Sequence, residues 1–499
     1  MNWTLLTVHL SSFDIDLAMP FTRPPRQTHL ARSRDGLCIW RPPPLVARRT
    51  GPCVIETLPI EILTQILHIV KAAEDQDHAP GSVNKLWQAA YKPVICHTIE
   101  LNGSAKRKAT RYHNHLHQTF KQNVALGSLV RKLDLLLDKV TDERRALLAD
   151  VVALCTGLKS LSIDSMTNDI EPIYEATRNL SRLEDCRAGY RDLNRGGLPL
   201  SMVVTNLARC PLKTLYLSRL GLGAALTPQR RHFYERELDA TVMENMLQAT
   251  YTLLKDIPHS SIEKLTLCEP YAPPAVIELL VAWPRALLSI EFRSLNFSPL
   301  DYNSHHLQKI LDTQHRTLRK ISIGNYGRLG GRSIPDFCFY PCLRDLHISM
   351  YNLLEERPSN AATKLSSPQL SYIRGDFATE DQHQARWNAF EQGELDWMRQ
   401  FIGYRDVSGA RLAALQSIEI HLHPDPPYSG EDIEWPWEYL EKAKEVVEKE
   451  GVEFVSEPSW TRGRWRRLID EGEGLGEEDE SDEDDESSES GGSESDDGF

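Results

Sequence analysis

In the six residues LKTLYL at positions 212–217, polar and apolar side chains alternate from Thr214 onward. Successive side chains of a β-strand point to opposite faces, so Leu215 and Leu217 share one face while Thr214 and Tyr216 share the other. One apolar and one polar face is the pattern of a half-buried strand. A single strand cannot cover its own apolar face, so this stretch needs neighbours of the same kind.

Such neighbours recur from about residue 124 to residue 424 in the form L-x-x-L-x-[LIV]. The ten instances begin at residues 129, 158, 180, 212, 262, 287, 318, 343, 370 and 415, and their central apolar anchors are Leu133, Leu161, Leu183, Leu215, Leu265, Ile290, Ile321, Leu346, Ile373 and Ile418. Seven of the nine spacings between anchors lie between 22 and 32 residues. The other two, 50 and 45 residues, each predict an insertion or a degenerate repeat. Periods of this length are typical of stacked structural units.

The spacers between these stretches favour helices, because their apolar residues recur at helical intervals, as in DERRALLADVVALC and AVIELLVAW. One strand and one helix per unit predict an α/β fold: an irregular solenoid over residues 124–428 with a parallel sheet. In residues 429–456, Leu440, Ala443, Val446 and Val447 form a helical stripe, and Gly451 is placed to end that helix. We interpret this segment as a capping helix and strand.

The two ends of the chain have a different composition. Residues 1–52 are rich in Pro and Arg without a period, which predicts a disordered leader. Residues 457–499 form a predicted disordered acidic tail, in which 16 Asp and Glu and no Lys or Arg follow residue 469. The tail could act as a solubilising segment or attract basic partners, and Arg462, Arg464, Arg466 and Arg467 just before it could pair with it.

Charge and cysteine usage limit the class of protein. The net charge is −14, so residues 1–469 carry only +2 once the 16 tail acids are set apart, and a nucleic-acid-binding body is not expected. Nine cysteines without a C-x-x-C pair are typical of a reducing compartment.

No apolar run approaches the roughly 18 residues of a membrane span, and we expect a cytoplasmic or nuclear protein.

Residues 53–101 predict a small unit with two helices. Thr57 can cap the first helix and Pro59 suits its first turn. The polar segment AAEDQDHAPG separates this helix from a second, VNKLWQAAY. The first helix, LPIEILTQIL, carries more apolar surface than a small core can cover. Residues 102–123 are basic and polar and are predicted to be a linker.

Residues 54–101 resemble an F-box. The first helix matches through Leu58-Pro59, Glu61-Ile62, Ile66 and Leu67, and the second through Val83, Asn84, Lys85, Leu86 and Trp87. The family usually has an apolar residue with Asp-Leu between these halves, where this chain is polar. The repeats resemble the irregular leucine-rich repeats of fungal F-box proteins, although the consensus Asn is mostly missing.

This resemblance implies a small all-helical F-box followed by a leucine-rich-repeat solenoid. It also implies the substrate-recognition subunit of a Skp–cullin–F-box ubiquitin ligase, with a Skp-type adaptor, through it a cullin–RING ligase, and an unknown protein substrate as partners. The implied adaptor-binding residues are Leu58, Pro59, Ile62, Ile66, Val83, Leu86 and Trp87. Such a receptor is not an enzyme, so no catalytic residue, cofactor or metal is expected. In the alternative, the solenoid is a scaffold and a vestigial F-box caps its N-terminal end.

Three further patterns are more typical of ordinary structure than of a functional site. The stretch HNHLH at residues 113–117 and the pair His305-His306 lack Cys or carboxylate partners at metal-ligand spacing. The glycine-rich GNYGRLGGRS at residues 324–333 lacks the Gly-Lys-[Ser/Thr] of a phosphate loop and follows a predicted strand. We interpret the histidines as polar surface and the glycine stretch as a loop.

Overall fold

The described part of the chain, in a computed structural model, comprises residues 96–102, 107–138, 140–166, 170–191, 197–221, 240–295, 302–327, 333–377, 390–405, 412–422 and 437–458. All of these residues belong to one compact unit. The predicted leader, most of the F-box-like unit and nearly all of the acidic tail lie outside these residues.

Strands and helices alternate along most of the described chain. The strands are β1 Thr98–Asn102, β2 Lys132–Leu137, β3 Ser160–Ser165, β4 Asp185–Tyr190, β5 Leu198–Pro199, β6 Thr214–Ser218, β7 Leu220–Gly221, β8 Lys264–Cys268, β9 Ser289–Arg293, β10 Lys320–Ile323, β11 Asp345–Ser349, β12 Tyr372–Phe377, β13 Ser417–Leu422 and β14 Glu453–Pro458. The helices are α1 Arg107–Gln122, α2 Val124–Gly127, α3 Asp142–Leu154, α4 Glu171–Thr177, α5 Leu200–Leu207, α6 Ala240–Asp256, α7 Pro274–Ala282, α8 Ser304–Asp312, α9 Met350–Leu354, α10 Pro358–Lys364, α11 Gln392–Gly403 and α12 Trp437–Lys449.

Twelve of the strands form one sheet in the order of the chain: β1, β2, β3, β4, β6, β8, β9, β10, β11, β12, β13 and β14. Every pair of neighbours in it is parallel. The short strands β5 and β7 pair separately. The predicted α/β class and parallel sheet are confirmed, and all ten strand-like stretches contain a strand of this sheet.

The core lies between the sheet and the helices. Parallel crossovers are right-handed, so consecutive crossovers in strict chain order place their helices on one face of the sheet. The inward residues of neighbouring strands lie in register across the sheet: Ile99, Leu133, Leu161, Cys186, Leu215, Leu265, Ile290, Ile321, Leu346, Ile373, Ile418 and Phe454. All twelve side chains are buried. This column is the structural form of the sequence repeat.

The register corrects one anchor of that repeat. Leu183 was predicted to be the anchor of its unit, but Cys186 occupies the column between Leu161 and Leu215. Leu183 is buried just before β4 instead. The adjoining spacings become 25 and 29 residues in place of 22 and 32, so the repeat is more regular in space than its leucines suggested.

The two long spacings are insertions. β6 pairs directly with β8, and β12 pairs directly with β13, so neither interval contributes a further strand to the sheet among the described residues. The first interval holds β7 and α6, and the second holds α11. The segment predicted to be a cap contains α12 and β14, where Leu440, Ala443 and Val447 are buried and Val446 packs against the core. Gly451 has φ +73°, as expected for a helix-ending glycine.

The N-terminal boundary of the repeat region is earlier than predicted. β1, assigned to the F-box-like unit, pairs with β2 along its whole length. The predicted linker over residues 102–123 is also wrong where the structure describes it, because residues 107–122 form the helix α1. His113, His117 and Phe120 on that helix are buried. Their spacing of three and four residues is a helical stripe that the basic composition concealed.

His113 of α1 faces Arg144 of α3. The Arg144 Nε and Nη2 atoms lie 3.2 Å and 3.0 Å from the His113 Nδ1 atom, which accepts from the guanidinium when the imidazole is neutral. Burial, ahead of the positive charge of Arg144, lowers the pKa of His113 to about 4. A protonated His113 would lose this hydrogen bond and meet a like charge.

This contact predicts acid sensitivity. Because the folded-state pKa lies below the usual 6.5, the unfolded chain takes up the proton first, and stability is lost as the pH falls from about 6.5 toward 4. We expect His113→Gln to remove about 2 kcal/mol of the loss in unfolding free energy between pH 7 and pH 5, measured by urea denaturation. His115→Gln, an exposed change on the same helix, should keep the wild-type slope, and an equal slope in His113→Gln would contradict this account.

Gly375 marks a gap in the second inward column. It lies in register between Ile348 and Ile420, and the Met350 side chain occupies the space that a Cβ atom would need. Met350 begins α9 directly after β11, so the methionine reaches over the next strand. The absence of a side chain at Gly375 is what allows this packing.

We expect Gly375→Ala to lower the free energy of unfolding by about 1–3 kcal/mol through overpacking against Met350. The double variant Gly375→Ala with Met350→Ala should lose less than the sum of the two single changes, because the methionine no longer fills the gap. Gly393→Ala, in helix α11 with open space around it, should be neutral or stabilising. Additive losses in the denaturant midpoints would count against this packing.

Candidate functional site

The outward face of the sheet is mostly polar, with Leu136 on β2 and Val455 on β14 among the exceptions. Along β3, β6 and β10, outward residues are half-buried and alternate with fully buried inward residues. Serines and threonines are frequent among these outward positions: Ser160, Ser162, Thr214, Ser218, Thr266, Ser289, Ser322 and Ser417. Since the crossover helices cover the other face, these side chains form a shallow surface that a partner chain can reach. We call it the open face.

Near the centre of the open face, an arginine stacks on a tyrosine. Arg187 on β4 and Tyr216 on β6 are register partners, and the guanidinium carbon lies 4.5 Å from the ring centre. Burial, ahead of the neighbouring Cys268 thiol, raises the pKa of Tyr216 to about 12, so the phenol stays neutral. The face of the Tyr216 ring attracts the positive charge of Arg187, and the guanidinium N–H donors can bind a carboxylate.

Glu291 on β9 organises the adjacent strands. Its carboxylate accepts from the Thr266 hydroxyl at 3.1 Å and from Arg293 Nε at 2.8 Å. Arg293 is thereby neutralised within its own strand. Arg187 makes no ion pair with any residue that the structure describes, and it is exposed. The two arginines thus differ in what they offer a partner.

The carboxyl edge of the same strands carries backbone strain. Arg219, Glu269 and Ser294, which directly follow β6, β8 and β9, have φ values of 54°, 45° and 54°. The left-handed region costs about 1–3 kcal/mol for such residues. The Arg219 N–H donates to the Cys268 carbonyl and the Glu269 N–H to the Arg293 carbonyl, so the turns continue the ladder past the strands. This edge of the sheet is therefore held in a backbone conformation that non-glycine residues rarely adopt.

Ion pairs hold this edge together. Arg191 binds Asp164 at 2.7 Å, and Arg219 binds both Glu269 and, at 3.0 Å, the carbonyl of Arg191. Four neighbouring strands are linked in this way. The edge is therefore a defined rim of the open face.

The C-terminal end of the open face holds a second polar network. The rings of His347 and Tyr372 meet edge to face at 5.7 Å, and the Tyr372 hydroxyl donates to Glu419. Burial would raise the pKa of the Glu419 carboxyl, but hydrogen bonds from Tyr372 and His421 hold it below its usual range. Arg374 Nη2 contacts Asp376 at 3.1 Å and His421 at 3.0 Å.

Burial and the neighbouring cations Lys320 and Arg374 lower the pKa of His347 to about 4. The network around it is therefore built on a neutral imidazole at physiological pH.

This pKa can be measured directly. We expect the His347 ring to stay neutral down to about pH 5 in ¹⁵N-edited NMR spectra of the full chain. Lys320→Met removes the positive charge that opposes protonation of His347 most strongly and should raise the pKa of His347. Lys264→Met serves as the matched control, because its lysine lies three strands from His347 and should leave the titration unchanged. A His347 that titrates near 6.5 in all three proteins would refute the assignment.

The residues predicted to bind an adaptor, Leu58, Pro59, Ile62, Ile66, Val83, Leu86 and Trp87, lie outside the described residues. The structure therefore neither brings them together nor separates them. The open-face residues were missed by motif reasoning because each comes from a different repeat. Only the alternation within each repeat marked them as outward.

The described residues contain no group of three or more His, Cys, Asp or Glu side chains that could hold a metal ion. His113 and His117 contact Arg144 and Asp150 instead. Burial, the leading cause, raises the pKa of the Cys155 thiol to about 12, and that of Cys186 higher still, which disfavours a thiolate at either position. Among the helices that the structure describes, none has the length and apolar character of a membrane span. No protein-family model matches the chain, and no curated protein matches it significantly.

Proposed function

We propose that this protein is the substrate-recognition subunit of a Skp–cullin–F-box ubiquitin ligase. In this proposal the F-box-like unit, predicted over residues 53–101 and ending in β1, binds a Skp-type adaptor, and the open face of a leucine-rich-repeat sheet binds a protein substrate. One observation carries the proposal: the F-box-like sequence runs directly into β1 of a sheet whose twelve parallel strands leave one polar face open. The chain then joins a docking module to a recognition surface.

The character of the open face supports recognition. Its outward residues include stacked arginine and tyrosine, the side chains most enriched among those that dominate binding energy. A ligase receptor needs no chemistry of its own. It acts by raising the effective concentration of substrate lysines near the conjugating enzyme.

The position of β1 favours the alternative in one respect. Among the described residues β1 is one of the two edge strands of the sheet, and an uncovered edge strand invites pairing with other chains. A unit directly preceding β1 could cover that edge. In this second function, the F-box-like unit is a cap and the protein is an interaction scaffold.

Adaptor binding is tested by co-purifying the full chain with a Skp-type adaptor. We expect Leu58→Ala with Pro59→Ala to reduce the recovered adaptor at least about tenfold, as expected for loss of interface anchors. Arg187→Glu, on the open face, should recover as much adaptor as wild type. The proposal fails if wild type recovers no adaptor or if both variants recover it equally.

A chain that starts at Cys96 separates the two functions, because it keeps β1 in the sheet. A receptor predicts a stably folded sheet that recruits no adaptor. The cap predicts aggregation or a clear fall in melting temperature, seen by circular dichroism and light scattering.

A further inference from the structure

The charges of the open face are sorted along the sheet. The five central strands, β4, β6, β8, β9 and β10, carry four cations and two carboxylates at outward positions: Arg187, Lys264, Arg293, Lys320, Asp185 and Glu291. Their net charge is +2. We call this part of the open face the central window.

Both ends of the open face are acidic. The outward positions of β1–β3 carry Glu100, Asp134 and Asp164 against Lys132, a net charge of −2. Among the outward residues of β11–β14 whose side chains the structure describes, Asp345, Asp376, Glu419 and Glu453 stand against Arg374, a net charge of −3. A cationic window between two acidic ends suits a short acidic segment of protein. A nucleic acid would carry its phosphates past the acidic ends and be repelled there.

Within the central window, three cations are available to a ligand. Arg293 is bound by Glu291, whereas Arg187, Lys264 and Lys320 form no ion pair with any described residue. Arg187 is held in place by Tyr216, and the small outward side chains Ser289 and Ser322 let another backbone approach closely. The window thus presents fixed positive charge over a shallow floor.

The chain itself holds a segment whose charges match this face in order. After β14, residues 459–469 carry Arg462, Arg464, Arg466 and Arg467 and no acid, and residues 470–499 then carry 16 acids and no Lys or Arg. Running back over the sheet from β14, a chain meets first the acidic end and then the central window. Its basic and acidic blocks would each oppose the complementary charge.

The distances allow this path. Neighbouring strands lie about 4.8 Å apart, so β10 and β4, four and eight strands from β14, lie about 19 and 38 Å away. The eleven residues 459–469 span at most about 36–40 Å when extended. The first acids of the tail can therefore reach any strand of the central window.

We propose that the central window is a docking surface for acidic peptide segments, and that residues 470–499 of the same chain occupy it in the isolated protein. Docking by the tail does not depend on adaptor binding. If the open face binds a substrate as proposed above, that substrate presents an acidic segment and must displace the tail, and only this consequence rests on the proposed function.

The test uses the full chain and a carbodiimide, which joins a lysine amine to a carboxylate in contact with it, followed by mass spectrometry. We expect Lys264 and Lys320 to couple to residues 470–499. Lys132 on the acidic end of the open face and Lys309 on helix α8 are internal controls, half-exposed or more and already paired with carboxylates, and should not couple to the tail. Raising NaCl from 50 mM to 500 mM should lower the yield at least about fivefold, because salt screens such contacts.

Arg187→Glu should lower the coupling yield at Lys264 and Lys320 about as much as the rise in NaCl does, and Arg187→Gln should lower it less. Lys264 and Lys320, where coupling is measured, are unchanged in both variants, and circular dichroism confirms that each variant is folded. Coupling spread equally over Lys132 and Lys309, or unchanged in both Arg187 variants, overturns the proposal. In a mixture of ¹⁴N and ¹⁵N protein, coupled peptides must share one label, and mixed labels would assign the window to a second copy and overturn docking in cis.

Adaptor recovery in the same preparations separates the two proposals. Loss of tail coupling with normal adaptor recovery refutes tail docking alone. Normal tail coupling without adaptor recovery refutes only the ligase function.

Discussion

Each strand of this sheet pairs in parallel with the strand before it, and that constraint decides the rest. Because the strands follow chain order, every crossover helix lies on the same side, and each strand can bury only one of its faces. The buried column from Ile99 to Phe454 holds the units together. Among the described residues no helix covers the opposite face, so its side chains are freed from packing and can carry charge.

Much of this arrangement could be predicted from the sequence. The alternation of apolar and polar residues is local, and it marked ten strands and the α12–β14 cap without any long-range information. It failed at β4, where the column is filled by Cys186 and the next inward residue is Ala188, because neither looks like a repeat leucine. It also failed at α1, where a basic, histidine-rich composition concealed a buried stripe.

The candidate site could not be predicted in the same way. Arg187 and Tyr216 are 29 residues apart, and only the register places one beside the other. The same holds for the network of His347, Tyr372 and Glu419, which comes from three strands. A shift of one residue in any strand would turn these side chains into the core. Insertions before β8 and β13 also hide the register from any count of sequence spacing.

Each strand buries one face and leaves the other accessible, and an abundance-based mutational scan of β2 to β13 can measure this difference. We expect a period of two: polar substitutions at inward positions such as Leu215 and Ile290 abolish folded protein, while those at outward positions such as Arg187 and Lys264 leave its level near wild type. Equal sensitivity at both sets of positions would contradict it, because the open face would then be part of the core.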